Sequence, residues 1–251
     1  MHPPVSGIVT LLTDFGQFDP YVGIMHGMIR REHRRVDVVD LCHGVPPQNL
    51  VVAGLFARSA VGRFPSGTVH VAVVDPGVGT SRRVVGLVAH DCYWFAPDNG
   101  LLTSLFPAAS EVREVDARSI DLEPESHTFH GRDLFAPLAG RLSSGRYGFR
   151  SVGPKLTEPV VASTPEGHRV VHVDRFGNLI TDVTASELAL SGSSSVRVSG
   201  VVVPVSCTYA DVAEGEPLAL VNSFDLVEIA VHAGDARLVL GVDVGESVAL
   251  T

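Results

Sequence analysis

Three short apolar runs in the first third of the chain each end on an acid, and helical spacing fills the intervals between them. Residues 8–13, Ile8-Val-Thr-Leu-Leu-Thr13, read as a buried strand that closes on Asp14. Residues 21–33 put Val22, Met25 and Ile29 on one helical face. Residues 36–41 form a second strand, carrying Asp40 at its end and His43 just beyond. Asn49 can cap a helix over residues 50–63, with Pro65 past its end. Residues 68–74 form the third strand, Val69/Val71/Val73, which breaks off at Asp75. Strands alternating with helices in this way predict a mostly parallel sheet with right-handed crossovers.

The texture then changes twice. Two apolar runs within residues 84–95 flank Ala89-His90-Asp91 and predict a hairpin. Pro97-Asp98-Asn99-Gly100 has tight-turn chemistry, residues 101–106 start a helix, 111–115 a short strand and 134–142 a helix. Residues 154–167 contain Pro154, Pro159 and Pro165 and little periodicity, the mark of a linker. From His168 the period is two: Val170/His172, Val196/Val198, Val201/Val203/Val205, Leu218/Leu220, Leu226/Glu228/Ala230 and Leu238/Leu240. The expected architecture is an α/β N-terminal domain over residues 1–153, a linker over 154–167 and a small all-β domain, barrel or sandwich, over 168–251. One helical turn is expected near residues 185–190. The 251 residues leave room for a sizeable core, and 45% hydrophobic content describes a globular chain.

Bulk charge removes some functions. A net charge of -9 argues against a nucleic-acid partner held by phosphate neutralisation. Cys42, Cys92 and Cys207 are odd in number and widely spaced, as expected of free thiols in a reducing compartment. The first residues lack the basic and apolar regions of a secretory leader, and no apolar run approaches the roughly 20 residues of a membrane span. The expected location is the cytoplasm, with no membrane partner. Dinucleotide, P-loop, nucleophile-elbow and zinc-type motifs are missing from the sequence.

The polar strand ends are where a ligand is expected, because in open α/β sheets the crevice lies outside the carboxyl ends of the strands. An aspartate there can instead cap the following turn. Asp14 with the adjacent Phe15-Gly16 suits the cis-diol of a ribose. In Thr128-Phe-His-Gly-Arg-Asp133, His130 is either a core histidine or a site residue, and Arg132 can simply pair with Asp133. In Asp174-Arg-Phe-Gly-Asn178, Phe176 can stack on a planar base and Asn178 can both donate and accept, yet Gly-Asn is also ordinary turn chemistry. A metal site from Asp14, Asp40, His43, Asp75 and His130 stays open, although no close ligand pair points to it.

Six motifs in order give the chain a resemblance that none gives alone. They are Thr13-Asp-Phe-Gly16, Asp75-Pro-Gly-Val-Gly-Thr-Ser-Arg82, Ala96-Pro-Asp-Asn-Gly-Leu-Leu102, Thr128-Phe-His-Gly-Arg-Asp133, Phe176-Gly-Asn178 and Asn222-Ser-Phe224 continuing through Leu226-Val-Glu-Ile-Ala230. In this order and spacing the chain resembles the S-adenosyl-L-methionine hydroxide adenosyltransferases, relatives of the fluorinating and chlorinating enzymes. The resemblance implies hydrolysis of S-adenosyl-L-methionine to adenosine and L-methionine, by in-line attack of water or hydroxide at the ribose 5′ carbon. It implies no cofactor and no metal. It also implies a homotrimer, with each site between one subunit's N-terminal domain and a neighbour's C-terminal domain.

The family's roles fall on particular residues here. Asp75, Arg82 and His130 would hold the attacking water: Asp75 as acceptor, Arg82 as the partner that stabilises hydroxide-like character, His130 completing the water's hydrogen bonds. Asp14 would hold the ribose diol, with Phe129 beside the substrate. Asn178 would read adenine against Phe176. Asp19, Asp174 and Ser223 would receive the methionine amino and carboxylate groups. Phe224, Glu228, Val231 and Ala233 would form the C-terminal wall of the adenine pocket, mostly through backbone groups. The halogenating relatives carry Tyr-type residues at the position of Asp75, and the fluorinating ones a Ser at Gly131 and an aromatic at Gln48. A carboxylate at 75 therefore places the chain with the hydrolases. The rival readings are a non-catalytic adenosine or S-adenosylmethionine binder, a 5′-halo-adenosine synthase, and a metal-dependent phosphoesterase that a chelator would silence.

Overall fold

The computed structural model describes residues 2–163 and 166–251. Two compact units divide the chain, Met1–Ala162 and Ser163–Thr251.

The first unit is built on a six-stranded sheet in the order β2-β1-β3-β5-β4-β6, from β1 (Ile8–Thr13), β2 (Asp37–Cys42), β3 (Val69–Val73), β4 (Val84–Ala89), β5 (Cys92–Pro97) and β6 (Ala109–Glu114). β1 pairs parallel with β2 and β3, and β3 parallel with β5, so these four strands point the same way. Only β4 runs against them, pairing antiparallel with β5 and β6. The β4–β5 connection is the expected hairpin: His90 and Asp91 both take left-handed backbone, φ 51° and 56°, as a tight two-residue turn requires. Helices α1 (Tyr21–Glu32), α2 (Leu50–Ser59) and α3 (Ala136–Ser143) complete the layers. Val9, Leu11, Met25, Ile29, Val71, Phe95 and Phe135 anchor one apolar cluster, and Leu12, Val52, Leu87, Trp94 and Leu101 a second. His70, inside β3, is a core histidine: its Nδ1 bonds Thr10 Oγ1 at 2.8 Å, its ring stacks on Trp94, and burial holds its pKa down to about 3.

Several elements depart from the sequence-based expectation, each for a local reason. The helix expected from residue 101 is a 3-10 segment, Thr103–Ala108, because Pro107 within it supplies no N–H and cannot sit in an α-helical interior. α2 starts on its predicted cap, where Asn49 Oδ1 accepts from the Val52 N–H at 3.0 Å. It stops at Ser59 rather than 63, where Ala60 tightens onto Ala57 O and Gly62 turns left-handed. α3 is preceded by a π-turn over Gly131–Phe135. The expected linker is docked over its first half: Leu156 N bonds Val112 O, Arg83 Nη2 donates to Glu158 O, and Asp98 Oδ1 accepts from Val160 N. Pro165 lies outside the described residues.

The second unit is a seven-stranded, wholly antiparallel sheet in the order β10-β9-β13-β7-β8-β12-β11. Its strands are β7 (His168–Val173), β8 (Leu179–Thr184), β9 (Ser195–Val198), β10 (Val201–Pro204), β11 (Pro217–Val221), β12 (Leu226–Val231) and β13 (Ser247–Leu250). A bridge between Val205 and Ala219 brings the two edges together, so the sheet is nearly closed and barrel-like. Val170, Val183, Val196, Val227 and Ile229 fill its interior. The helical turn expected near 185–190 is α4 (Ala185–Ser191), opened by a capping box between Thr184 and Glu187. Leu238 and Leu240, expected on a strand, lie instead on α5 (Ala236–Leu240). Asp235 caps that helix and left-handed Gly241 ends it, and alternation over so few residues does not distinguish strand from helix.

Candidate active site

Because β2, β1 and β3 are parallel neighbours, their carboxyl ends share one edge, and Asp14, Asp40 with His43, and Asp75 stand along it. Asp75 opens the loop after β3. Arg82, at the far end of that loop, donates from Nε to Asp75 Oδ1 at 2.9 Å and to Oδ2 at 3.0 Å, and from Nη2 to Oδ2. The same Nη2 lies 2.7 Å from His130 Nδ1. The side chains of Asp75 and Arg82 are 6% and 10% exposed, so the pair is largely withdrawn from water. Asn99 Nδ2 donates to Val74 O at 2.9 Å and fixes the backbone just before the acid.

This geometry sets the imidazole's protons. A guanidinium can only donate, so His130 must keep a lone pair on Nδ1, and its proton resides on Nε2. Burial and then the Arg82 charge push the His130 pKa below the usual 6.5, against the opposing pull of Asp75 and Asp133. Neutral His130 thus carries its N–H donor on Nε2, while Asp75 supplies the acceptor of the cluster. Arg132 does pair with Asp133, at 2.5 Å from Nε to Oδ1, and lies over the Phe129 ring. Phe129 packs edge-on against Phe15 and Tyr21. A Cβ on Gly131 would stand 3.0 Å from the Phe129 ring and 3.2 Å from Met25 and Phe15, so this position has no room for a side chain without displacing them.

Asp14 is held by the backbone: Gln48, in left-handed conformation at φ 63°, donates its N–H to Asp14 Oδ2 at 2.8 Å. Beside it is a cavity of about 240 Å³ lined by Gly16, Gln17, Asp19, Val22, Gly23, Asp40 and His43. Among the described residues no three His, Cys, Asp or Glu side chains are grouped to hold a metal ion.

The second unit carries the other expected residues. Asp174 organises its own loop: Oδ1 accepts from Phe176 N at 2.8 Å and Asn178 N at 2.9 Å, while Oδ2 accepts from Asn178 Nδ2 at 3.1 Å. Gly177 between them is left-handed, and a Cβ there would run into the Asp235 carboxylate. Phe176 is left 75% exposed, whereas Asn178 is buried. The Asn222-Ser-Phe224 turn precedes β12, with Asn222 Oδ1 accepting from Phe224 N at 2.9 Å and leaving Ser223 exposed. Glu228, on β12, is buried. Tyr209 donates to its Oε1 at 2.6 Å and Asn222 Nδ2 to its Oε2 at 3.3 Å, and burial pushes its pKa up. Val231 ends the strand, and Ala233 follows in a tight turn at φ 55°.

Fold and site together define a two-domain protein: an α/β domain with a carboxylate–guanidinium–imidazole corner at its strand ends, and a small antiparallel barrel with an exposed aromatic beside a buried asparagine. Residues 9–153 match the SAM hydroxide adenosyltransferase N-terminal domain, and residues 168–249 the C-terminal domain of the same family. The chain belongs to the SAM hydroxide adenosyltransferase family. It is similar to the (R)-S-adenosyl-L-methionine hydrolase of Thermus thermophilus, 37% identical across 96% of this chain and 98% of that one. It is also 37% identical to the hydrolase of the same name from Salinispora tropica, across 97% of each. A fluorinase of Actinopolyspora mzabensis is more distant, at 27% identity over 97% of each chain. A solved structure of a conserved protein from Thermotoga maritima superposes with a TM-score of 0.88 at 35% identity, covering 97% of this chain and all of that one.

Three supports of the site were not foreseen from the sequence: Gln48 through its backbone, Asn99 through Val74, and the Thr13–His43 contact. A turn signal was visible at Asn99, but its partner was not. A backbone donor such as Gln48 leaves no mark in residue type.

Proposed function

We propose that the chain is a hydrolase that converts S-adenosyl-L-methionine to adenosine and L-methionine, with Asp75, Arg82 and His130 as the group that holds the attacking water. The observation that carries this reading is the Asp75–Arg82–His130 cluster: one acceptor, one fixed cation and one neutral N–H donor, gathered where water is scarce. Simple binding of a nucleoside needs no such set. In the reaction a water oxygen forms a bond to C5′ while the C5′–S bond breaks. The bonding pair passes to sulfur and leaves neutral methionine, and the water proton passes to Asp75 and on to solvent. The sulfonium is already a good leaving group, so the protein's task is to orient and partly desolvate the water. Arg82 stabilises the hydroxide-like character of the attacking oxygen, and His130 donates to it from Nε2.

The substrate contacts belong to the same proposal. Asp14 Oδ1, which has no protein partner among the described residues, faces the ribose hydroxyls. Asp19 at the cavity, the remaining capacity of Asp174 Oδ2, and Ser223 take the methionine ammonium and carboxylate. Asn178 reads adenine, with Phe176, Phe129, Phe224, Glu228, Val231 and Ala233 around it. The site is completed by a neighbouring copy in a homotrimer, and the reaction proceeds without metal in the cytoplasm. The relatives' names specify the (R) sulfonium epimer, which a slowly inverting sulfur centre supplies from the ordinary one, and we extend that preference to this chain.

The test is to incubate the protein with each sulfur epimer in ¹⁸O water, with and without chloride or chelator, and weigh the nucleoside formed. Adenosine bearing solvent oxygen at 5′, faster from the (R) epimer and indifferent to chelator, is expected. Asp75→Ala should lose turnover and still bind. A 5′-halo product, or full turnover by Asp75→Ala, overturns the assignment of that acid, and binding without turnover makes the protein a sensor.

A further inference from the structure

Two buried polar side chains lie behind Asp14 where an apolar pair would pack as well. Thr13, the last residue of β1, and His43, just past β2, are fully and 95% withdrawn from solvent respectively, and Thr13 Oγ1 lies 2.8 Å from His43 Nδ1. Thr13 Oγ1 also accepts from Phe15 N at 3.2 Å, and Gly16 N donates to His43 O at 2.8 Å. His43 Nε2 is 3.0 Å from Asp40 Oδ1, although off the line of a full hydrogen bond, and finds no other partner among the described residues. From the far side, Arg30 donates to His26 Nδ1 at 3.2 Å, and His26 Nε2 reaches the same Asp40 oxygen at 2.7 Å.

The proton directions are mutually consistent. An amide can only donate, so Thr13 Oγ1 accepts from Phe15 and its own proton is free to go to His43 Nδ1. With the Thr13 proton on that contact, the His43 proton lies on Nε2, toward Asp40. Arg30 likewise leaves the His26 proton on Nε2. Both branches end on one carboxylate, whose pKa burial would raise but which the two imidazoles hold below the ordinary range.

We propose that Thr13, His43 and Asp40 form a directional relay that fixes the Asp14 loop, and that they are positioning residues for the bound ribose. The relay grips the chain at Phe15, immediately after Asp14, while Gln48 N grips the carboxylate itself. Asp14 is thereby pre-set before substrate arrives, and the ordering of its loop is not charged against binding. The proposal rests on the reading that Asp14 binds the ribose diol.

Steady-state kinetics with S-adenosyl-L-methionine and its 2′-deoxyribosyl counterpart test it. Asp14→Ala should lose the wild type's preference for the ribosyl substrate. Thr13→Val, which removes only the hydroxyl, should raise KM about tenfold, the scale of one hydrogen bond, with kcat within about twofold. It should also shrink the ribosyl preference several-fold, and Thr13→Ser should restore both. A Thr13→Val protein that keeps the full preference overturns the relay and leaves Asp14 its role. A wild type without preference, joined by an unaffected Asp14→Ala, overturns the ribose reading and the relay with it. Should Thr13→Val fail to fold, Asp40→Ala carries the same comparison, because the Asp40 side chain is 42% exposed. Asp40→Asn, which keeps an acceptor, should then fall between Asp40→Ala and wild type.

Discussion

On the proposed reading, the smallest unit that decides the chemistry is the nitrogen of His130 that faces Arg82. With Nδ1 occupied by a guanidinium N–H, the ring cannot take a proton there without setting two donors against each other. Its pKa is lowered, chiefly by burial and then by Arg82. A group depressed in this way stays neutral as pH falls through 6.5 and protonates only below it. Turnover that uses the neutral ring should therefore persist to lower pH than an ordinary histidine allows, measured as kcat/KM across an acid series. Arg82→Lys, which cannot reach both partners with a planar fork, should lower turnover sharply and move that acid limb toward 6.5 as the fixed charge changes place. An acid limb unchanged in Arg82→Lys would leave burial as the cause and refute the share assigned to Arg82. At this scale the sequence was informative about Asp75 and Arg82, because a carboxylate ending a strand and an arginine ending the same glycine loop leave a visible pattern. It was silent on the partners of His43 and Asn99, because those contacts arise only when the register of neighbouring strands brings the two side chains to Thr13 and Val74.

Elements, and above all their ends, place these side chains. The part of the proposed site in the first unit lies on the loops that leave three adjacent parallel strands, and the start of α2 contributes directly: Asn49 caps the helix while the preceding Gln48 holds Asp14. Asn49→Ala should cost about 1 kcal/mol of stability, the usual worth of such a cap, read as a lowered midpoint in urea unfolding. Because Gln48 N is positioned by the same turn, KM should rise with it, while kcat stays near wild type. The helices and strands of the first unit were legible because their apolar periods run long enough to separate 3.6 from two. The errors fell on short elements. Leu238 and Leu240 alternate over too few positions to reveal α5, and Pro107 converts an expected α-helix to a 3-10 segment. The π-turn at Gly131–Phe135 left no periodic signal at all, since it changes hydrogen-bond spacing without changing composition.

At the scale of the molecule, each unit carries its own core and its own share of the proposed site residues. Asp14, Asp75, Arg82 and His130 belong to Met1–Ala162, and Asp174, Phe176, Asn178 and Glu228 to Ser163–Thr251. The homotrimer implied by the resemblance should appear as three chains per particle by light scattering at working concentration. A monomer that turns over substrate at the trimer's specific activity would refute the need for neighbouring copies. The two-domain plan was readable because the period of the apolar pattern switches from mixed to two after residue 168. The near-closure of the barrel was not, since it depends on Val205 and Ser206 meeting Ala219, a pairing of edges that no local pattern announces.

The loop from Asp75 to Arg82 has a mechanical consequence. Its ends are clasped by the carboxylate–guanidinium pair, and its interior is stitched by Val78 N to Asp75 O and Thr80 N to Gly77 O, both at 3.2 Å. Acid and cation are therefore tied to each other across one loop, while His130 sits on a different element. A substitution that breaks the clasp leaves the Asp75 carboxylate without its paired cation and at the same time frees the two ends of the loop, so local charge and loop geometry are coupled through a single contact.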